Sequence, residues 1–216
     1  MAKKLAIFDL DGTILDTLQD LADAVNHALE QNGLPKRTLA EVRAFIGNGI
    51  HNLIERSVPE HTPEDVVENV FREFKAFYSI HCAEKTCPYA GILDMLANIR
   101  DAGMKTAVLS NKADFAVQEL VAKYFPGSID YAAGEKNGVP KKPAPDSVYI
   151  LLKEMDCTAE EAVYIGDSEV DIQTANNAGL DYIIVDWGFR DHDALAEAGA
   201  KVLLSTVEAL EKMLLS

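Results

Sequence analysis

The sequence is short of cysteine, of basic residues and of long apolar runs. Its three cysteines are Cys82, Cys87 and Cys157. A Cys-x4-Cys pair with one distant partner is no zinc spacing, even with His81 beside Cys82. Thiols without a disulfide or metal framework are expected to stay reduced, which fits a cytoplasmic protein. No stretch reaches the ~18 consecutive apolar residues of a membrane span, so no membrane partner is expected. The apolar run Leu5 to Phe8 is too short for a signal peptide and runs straight into Asp-Leu-Asp, so none is expected. Lysine and arginine total 20 against 35 aspartates and glutamates, giving a net charge of -15 and a pI near 4.7. That balance argues against a nucleic-acid or anionic-membrane surface. There is also no internal repeat, low-complexity tract or Gly/Ser linker.

What remains is an ordinary globular composition, 48% apolar and 25% charged over 216 residues. The length allows one large domain or two small ones. Apolar runs without alternation predict buried parallel strands at 5–10, 106–110, 162–166, 182–186 and 201–204. Helical patterns lie between them. GILDMLANIRDAG places Ile92, Leu93, Leu96 and Ile99 on one face, with Gly103 as its stop. DFAVQELVAKYF and DSVYILLKEM read similarly, and Thr158 with Glu161 forms a capping box. The alternation predicts a doubly wound, Rossmann-like α/β core with right-handed crossovers.

Residues 16–84 break the alternation. Leu18, Leu21, Ala22, Val25 and Leu29 are helix-spaced and end at Asn32-Gly33. Thr38 and Glu41 cap a second helix, Ile50, Leu53 and Ile54 suggest a third, and Thr62-Pro63-Glu64 starts a fourth. The expectation is a small all-helical cap at 16–84, inserted after the first strand into a core of 1–15 and 85–216. Ligands of an open sheet bind beyond the carboxyl ends of its strands.

Chemistry-bearing residues follow those ends. Asp9 and Asp11 follow the first strand, Ser110 and Asn111 the second. Lys141 and Lys142 sit in the proline-framed loop GVPKKPAPD. Asp167, Ser168 and Asp171 follow AVYIG. In a parallel sheet, four carboxylates, a hydroxyl and an ammonium converge. Carboxylates are seldom buried uncompensated, and a hard divalent cation such as Mg²⁺ would compensate them. The pocket could then take an anion, with Lys142 and Ser110 as donors. An aspartate can serve as the nucleophile of phosphoryl transfer, with a second carboxylate as acid and base. Asp16 and Thr17 read as caps of the first inserted helix. Asp167, Ser168 and Asp171 taken alone also read as a plain helix start.

The motifs DLDGTILDT (9–17), LSN (109–111), KKPAPD (141–146) and GDSEVDIQTANNAG (166–179), in this order and spacing, resemble the haloacid-dehalogenase-like superfamily. The resemblance is to its phosphatase branch with a small helical cap, and within it to the phosphoglycolate phosphatases. It covers nearly the whole chain. It implies a Mg²⁺-dependent phosphatase of a small phosphorylated metabolite, 2-phosphoglycolate first, working through an aspartyl-phosphate. The residue roles it implies are Asp9 as nucleophile and Asp11 as general acid and base. Asp9, Asp167 and the Asp11 carbonyl would hold the metal. Ser110 and the Asn111 amide would bind phosphate. Lys142, rather than Lys141, would neutralise charge, and Asp171 would support Lys142 or a metal-bound water. Gly47, Asn48 and Gly49 resemble the cap loop of these enzymes; a plain turn before a helix is the alternative. WGFRDHD follows a strand end, where Trp187 and Arg190 could line the rim of the site; a surface loop with a packed aromatic is the favoured reading. Alternatives kept open are a nucleotide or pyrophosphate substrate, a sugar phosphomutase, and a binding protein without activity. No residue speaks to oligomeric state.

Overall fold

The structure is a computed structural model that describes residues 3–47 and 49–216. Its chain divides into two compact units, residues 1–15 with 88–216, and residues 16–87. Among the described residues no helix is long and apolar enough to cross a membrane.

The first unit begins with β1 (Leu5–Phe8), every residue of which is buried. A short β2 (Leu15–Asp16) then leads out of it. The second unit holds α1 (Leu18–Gln31), α2 (Leu39–Phe45), α3 (Ile50–Ser57) and α4 (Glu64–His81). The chain returns through β3 (Cys87–Pro88), which pairs with β2. From there elements alternate: α5 (Ile92–Asp101), β4 (Lys105–Ala113), α6 (Asp114–Tyr124), β5 (Tyr131–Glu135) and α7 (Asp146–Glu154). They continue with β6 (Ala162–Gly166), α8 (Glu169–Ala178), β7 (Asp181–Val185), α9 (His192–Glu197), β8 (Leu203–Leu204) and α10 (Val207–Leu214).

Six strands form one sheet in the order β5-β4-β1-β6-β7-β8. All the pairs in it are parallel. This is the doubly wound arrangement expected from apolar strands without alternation, since helices cover both faces. The order reverses direction at β1, so β4 and β6 flank it on opposite sides. Their carboxyl ends therefore border one crevice, where such folds bind ligands. One face of the core is built from Leu5, Ile7, Leu109 and Tyr164 of the strands against Leu151 of α7 and Ile172 of α8.

The helical unit has its own core, with Leu21, Val25 and Leu29 of α1 against Val70, Phe74 and Tyr78 of α4. Phe74 is fully buried, and Phe71 and Phe77 pack partly buried against that core. Thr38 and Glu41 form the expected capping box. The buried Asp20 carboxylate accepts hydrogen bonds from the Lys85 and Thr86 amides and the Thr86 hydroxyl. This satisfies a charge that burial would otherwise penalise.

Some local expectations change. Leu93 is half exposed, and Met95 takes the buried place beside Ile92, Leu96 and Ile99. At 100° per residue, position 93 turns away from the face that 92, 95, 96 and 99 share. Thr17 stands at the start of α1 without a capping hydrogen bond. The Asp16 carboxylate instead accepts from the Leu18 amide. Gly47 and Gly49 have positive φ, and Gly49 begins α3. Asn48 lies outside the described residues.

Candidate active site

Each strand end places its side chains by the pleat and by one tight turn. After β1 the chain folds back, with the Gly12 amide donating to the Leu15 carbonyl. Gly12 has a φ of 81°. A Cβ there would collide with the Asp167 carboxylate. Glycine thus lets the backbone approach an acidic group that no side chain would permit.

Lys142 is the hub. Its ammonium, 3% exposed, lies 3.1 Å from Asp9 Oδ2 and 2.9 Å from Asp171 Oδ1. It also donates to the Tyr164 hydroxyl at 3.0 Å. The Tyr164 hydroxyl lies 3.2 Å from Asp171 Oδ1 as well. The other Asp171 oxygen accepts from the Ser168 amide and hydroxyl, in a capping box at the start of α8. Asp171 is therefore both a helix cap and the anchor of a buried lysine. The Asn111 side chain fixes the Lys142 backbone on both sides: Nδ2 donates to its carbonyl and Oδ1 accepts from its amide, each at 2.9 Å.

Asp9 accepts from the Leu10 amide at 2.7 Å through its other oxygen. Asp167 is held by the Thr13 hydroxyl at 3.0 Å on Oδ1 and by the Phe189 amide at 2.8 Å on Oδ2. One carboxylate oxygen each from Asp9, Asp167 and Asp171 lies within 4.8 Å of the others. Asp11 stands apart from this trio and pairs with the Lys112 ammonium at 2.8 Å. Ser110 is buried within β4, its hydroxyl accepting from the Lys112 amide at 3.3 Å.

The electrostatics follow from burial. Asp9 is pushed up to about 7 by burial, with Asp171 and Asp11 adding to the rise and Lys142 opposing it. Asp167 is pushed up to about 8, again by burial first and then by Asp171 and Asp9. Burial works against the Lys142 ammonium, but Asp171 and Asp9 outweigh it and hold its pKa well above the ordinary value. Burial raises the Tyr164 phenol in the same way. Two ammonium groups face four carboxyls, so full ionisation of all four would leave surplus negative charge, and the raised values of Asp9 and Asp167 are the response to it. Three oxygen donors this close, buried and under-compensated, fit a hard divalent cation. The donor set contains no sulfur or imidazole that would favour a softer metal.

Residues 6–185 match the family model of haloacid dehalogenase-like hydrolases. The chain belongs to that family. A relative from Mesorhizobium japonicum named phosphoglycolate phosphatase is 30% identical over 214 residues, covering 97% of this chain and 94% of its own length. One of the same name from Pseudomonas savastanoi pv. phaseolicola is 29% identical over 214 residues, covering 96% and 78%. The solved structure of a candidate phosphoglycolate phosphatase from Lactobacillus delbrueckii subsp. bulgaricus gives a TM-score of 0.94 at 42% identity, covering 99% of each chain.

Within this family member, sequence reasoning missed four features. Lys112 directly follows LSN, and only its burial in β4 distinguishes it from a surface lysine. Tyr164 reads as one more apolar strand residue, because its ring fills the core while its hydroxyl reaches the site. Asn111 is expected to act through its backbone amide, whereas its side chain clamps Lys142. Phe189 reaches Asp167 through its backbone, which no residue type announces.

Proposed function

We propose that this hydrolase is a Mg²⁺-dependent phosphatase of a small phosphomonoester, 2-phosphoglycolate first, acting through an aspartyl-phosphate on Asp9. The carrying observation is Lys142, held between Asp9 and Asp171 beside the three-carboxylate cluster. An ammonium against the nucleophile next to a cation-binding trio is what phosphoryl transfer asks of a protein. The relatives' name supports the substrate.

Asp9, Asp167 and the Asp11 backbone carbonyl are the proposed metal ligands, with Asp171 in support. When bound, Mg²⁺ supplies positive charge that screens the phosphoryl oxygens from the acidic pocket and favours their approach to Asp9. An Asp9 oxygen attacks phosphorus, the ester P–O bond breaks, and the Asp11 carboxyl gives its proton to the leaving oxygen. Asp11 then takes a proton from water, the water oxygen attacks phosphorus, and the bond to Asp9 breaks to release phosphate. To do so Asp11 exchanges its Lys112 contact for the leaving oxygen. Lys142, the Ser110 hydroxyl and the Asn111 amide offer donors to the phosphoryl oxygens as charge develops. The helical insertion at 16–84 is read as the cap that admits substrate and excludes water during transfer. Its insertion between β1 and the remaining strands of the sheet supports that role. Gly47, Asn48 and Gly49 are read as its substrate loop.

The test is phosphate release, with and without Mg²⁺, from 2-phosphoglycolate, sugar phosphates, nucleotides and pyrophosphate. The expected result is Mg²⁺-dependent turnover led by 2-phosphoglycolate. Another leading ester would move the substrate and keep the chemistry. No turnover on any ester would refute the reading.

A further inference from the structure

The segment Trp187–Arg190, between β7 and α9, borders the candidate site. Four observations converge there. The Phe189 amide donates to Asp167 Oδ2 at 2.8 Å. The Trp187 indole Nε1 donates to the Thr13 carbonyl at 3.0 Å, and the Thr13 hydroxyl in turn holds Asp167 Oδ1 at 3.0 Å. A Cβ on Gly188 would collide with Asp167 Oδ2 and with the Gly12 carbonyl oxygen. The Arg190 guanidinium grips Glu169 with two bonds, Nε at 2.8 Å and Nη2 at 3.1 Å.

These contacts close a ring. Asp167 is bonded to Thr13 on one oxygen and to Phe189 on the other, and Trp187 ties the two arms together. The carboxylate is thereby held on both oxygens, and one of them lies within 4.8 Å of a carboxylate oxygen of Asp9 and of Asp171. The far end of the segment is anchored by Arg190 to Glu169, which sits two residues after Asp167 in the first turn of α8. A planar guanidinium on a carboxylate fixes direction as well as distance. Partners of metal-binding carboxylates commonly matter this way, their loss costing roughly 10–100-fold in metal affinity.

We propose that Trp187–Arg190, clasped by the Arg190–Glu169 ion pair, is a positioning element that pre-sets Asp167 for divalent-cation binding. The inference rests on the reading of Asp167 as a metal ligand. Arg190 and Glu169 are assigned as positioning residues, because their contacts to each other act on Asp167 through the chain. An ion pair of ordinary surface kind contributes little even to stability, whereas this one should tune metal affinity.

The experiment is calorimetric titration of Mg²⁺ alone into the metal-free protein, without substrate. Wild type, Arg190→Ala, Glu169→Ala, the double variant and Asp167→Asn are compared, with circular dichroism checking that each is folded. The expected result is a dissociation constant raised about tenfold in each single alanine variant. The double variant should be no weaker than either single one, because the pair acts as one clasp. Unchanged affinity in folded Arg190→Ala and Glu169→Ala proteins, beside a wild type that binds, would overturn this inference alone. Losses that simply add in the double variant would overturn the clasp. A wild type that binds Mg²⁺ no better than Asp167→Asn would overturn the metal-ligand reading and this inference with it.

Discussion

Raising the pH of the metal-free protein from 5 to 7 should destabilise the unit that holds the site. Asp9 and Asp167 have folded-state values of about 7 and about 8, against an ordinary 3.8. Between pH 5 and 7 the folded state therefore retains protons that the unfolded chain has lost. Stability falls with pH wherever the folded state binds more protons. Each retained proton is worth about 1.4 kcal/mol per pH unit, so two units cost about 3 kcal/mol for one proton. Two independent protons would cost at most about 6 kcal/mol, but the Asp9 charge is one cause of the Asp167 rise, so protonating Asp9 relieves Asp167. The lower figure is expected, equivalent to roughly 6–12 °C in melting temperature for a chain of this size. Trp187 is the one tryptophan and lies in this unit, so urea unfolding followed by its fluorescence reads the right transition. Saturating Mg²⁺ should flatten the slope, because a cation replaces the protons. Asp9→Asn/Asp167→Asn should flatten it as well, and its residual slope is the reference for every other titrating group. Metal-free stability that rises between pH 5 and 7, or a wild-type slope no steeper than that of the double variant, would refute the reasoning.

Three further outcomes follow from single contacts. Lys142→Met leaves Asp9 and Asp171 without their buried ammonium, at a cost of about 3–5 kcal/mol in urea unfolding and with loss of turnover. Asn111→Ala removes both hydrogen bonds that bracket the Lys142 backbone; stability should drop by about 1–3 kcal/mol, and kcat should fall roughly tenfold or more as the ammonium shifts. Gly188→Ala forces a Cβ against the Asp167 carboxylate and the Gly12 carbonyl, costing about 1–3 kcal/mol with weakened Mg²⁺ binding by calorimetry.

The parallel strands were legible because residues buried on both faces carry no polar alternation. AVYIG is β6 residue for residue, and the run at 182–186 lies one residue from β7. The edge strand β5, YAAGE, escaped notice because small and half-buried residues leave no apolar run. β2 and β3 are two residues each and too short to carry a pattern. Caps were legible where the side chain itself makes the bond. Thr158 with Glu161 starts the short 3-10 turn before β6. At the site, the charged side chains could be read from the strand ends in order. What joins them could not. Tyr164 lends a hydroxyl from an apolar strand, Asn111 acts at the Lys142 backbone, and Phe189 offers only its amide. Tertiary contacts through main-chain atoms leave no residue-type signature, so the network around Asp167 emerges only with coordinates.

The most direct test of the central claim is to look for phosphate on Asp9. Labelled 2-phosphoglycolate and Mg²⁺ would be mixed with excess enzyme and quenched in acid within one turnover. The expected result is protein-bound label that hydroxylamine removes, maps to the peptide containing Asp9, and is absent from Asp9→Asn. Release of phosphate at full rate with no bound label, or label on any other residue, would contradict the assignment of Asp9 as the nucleophile.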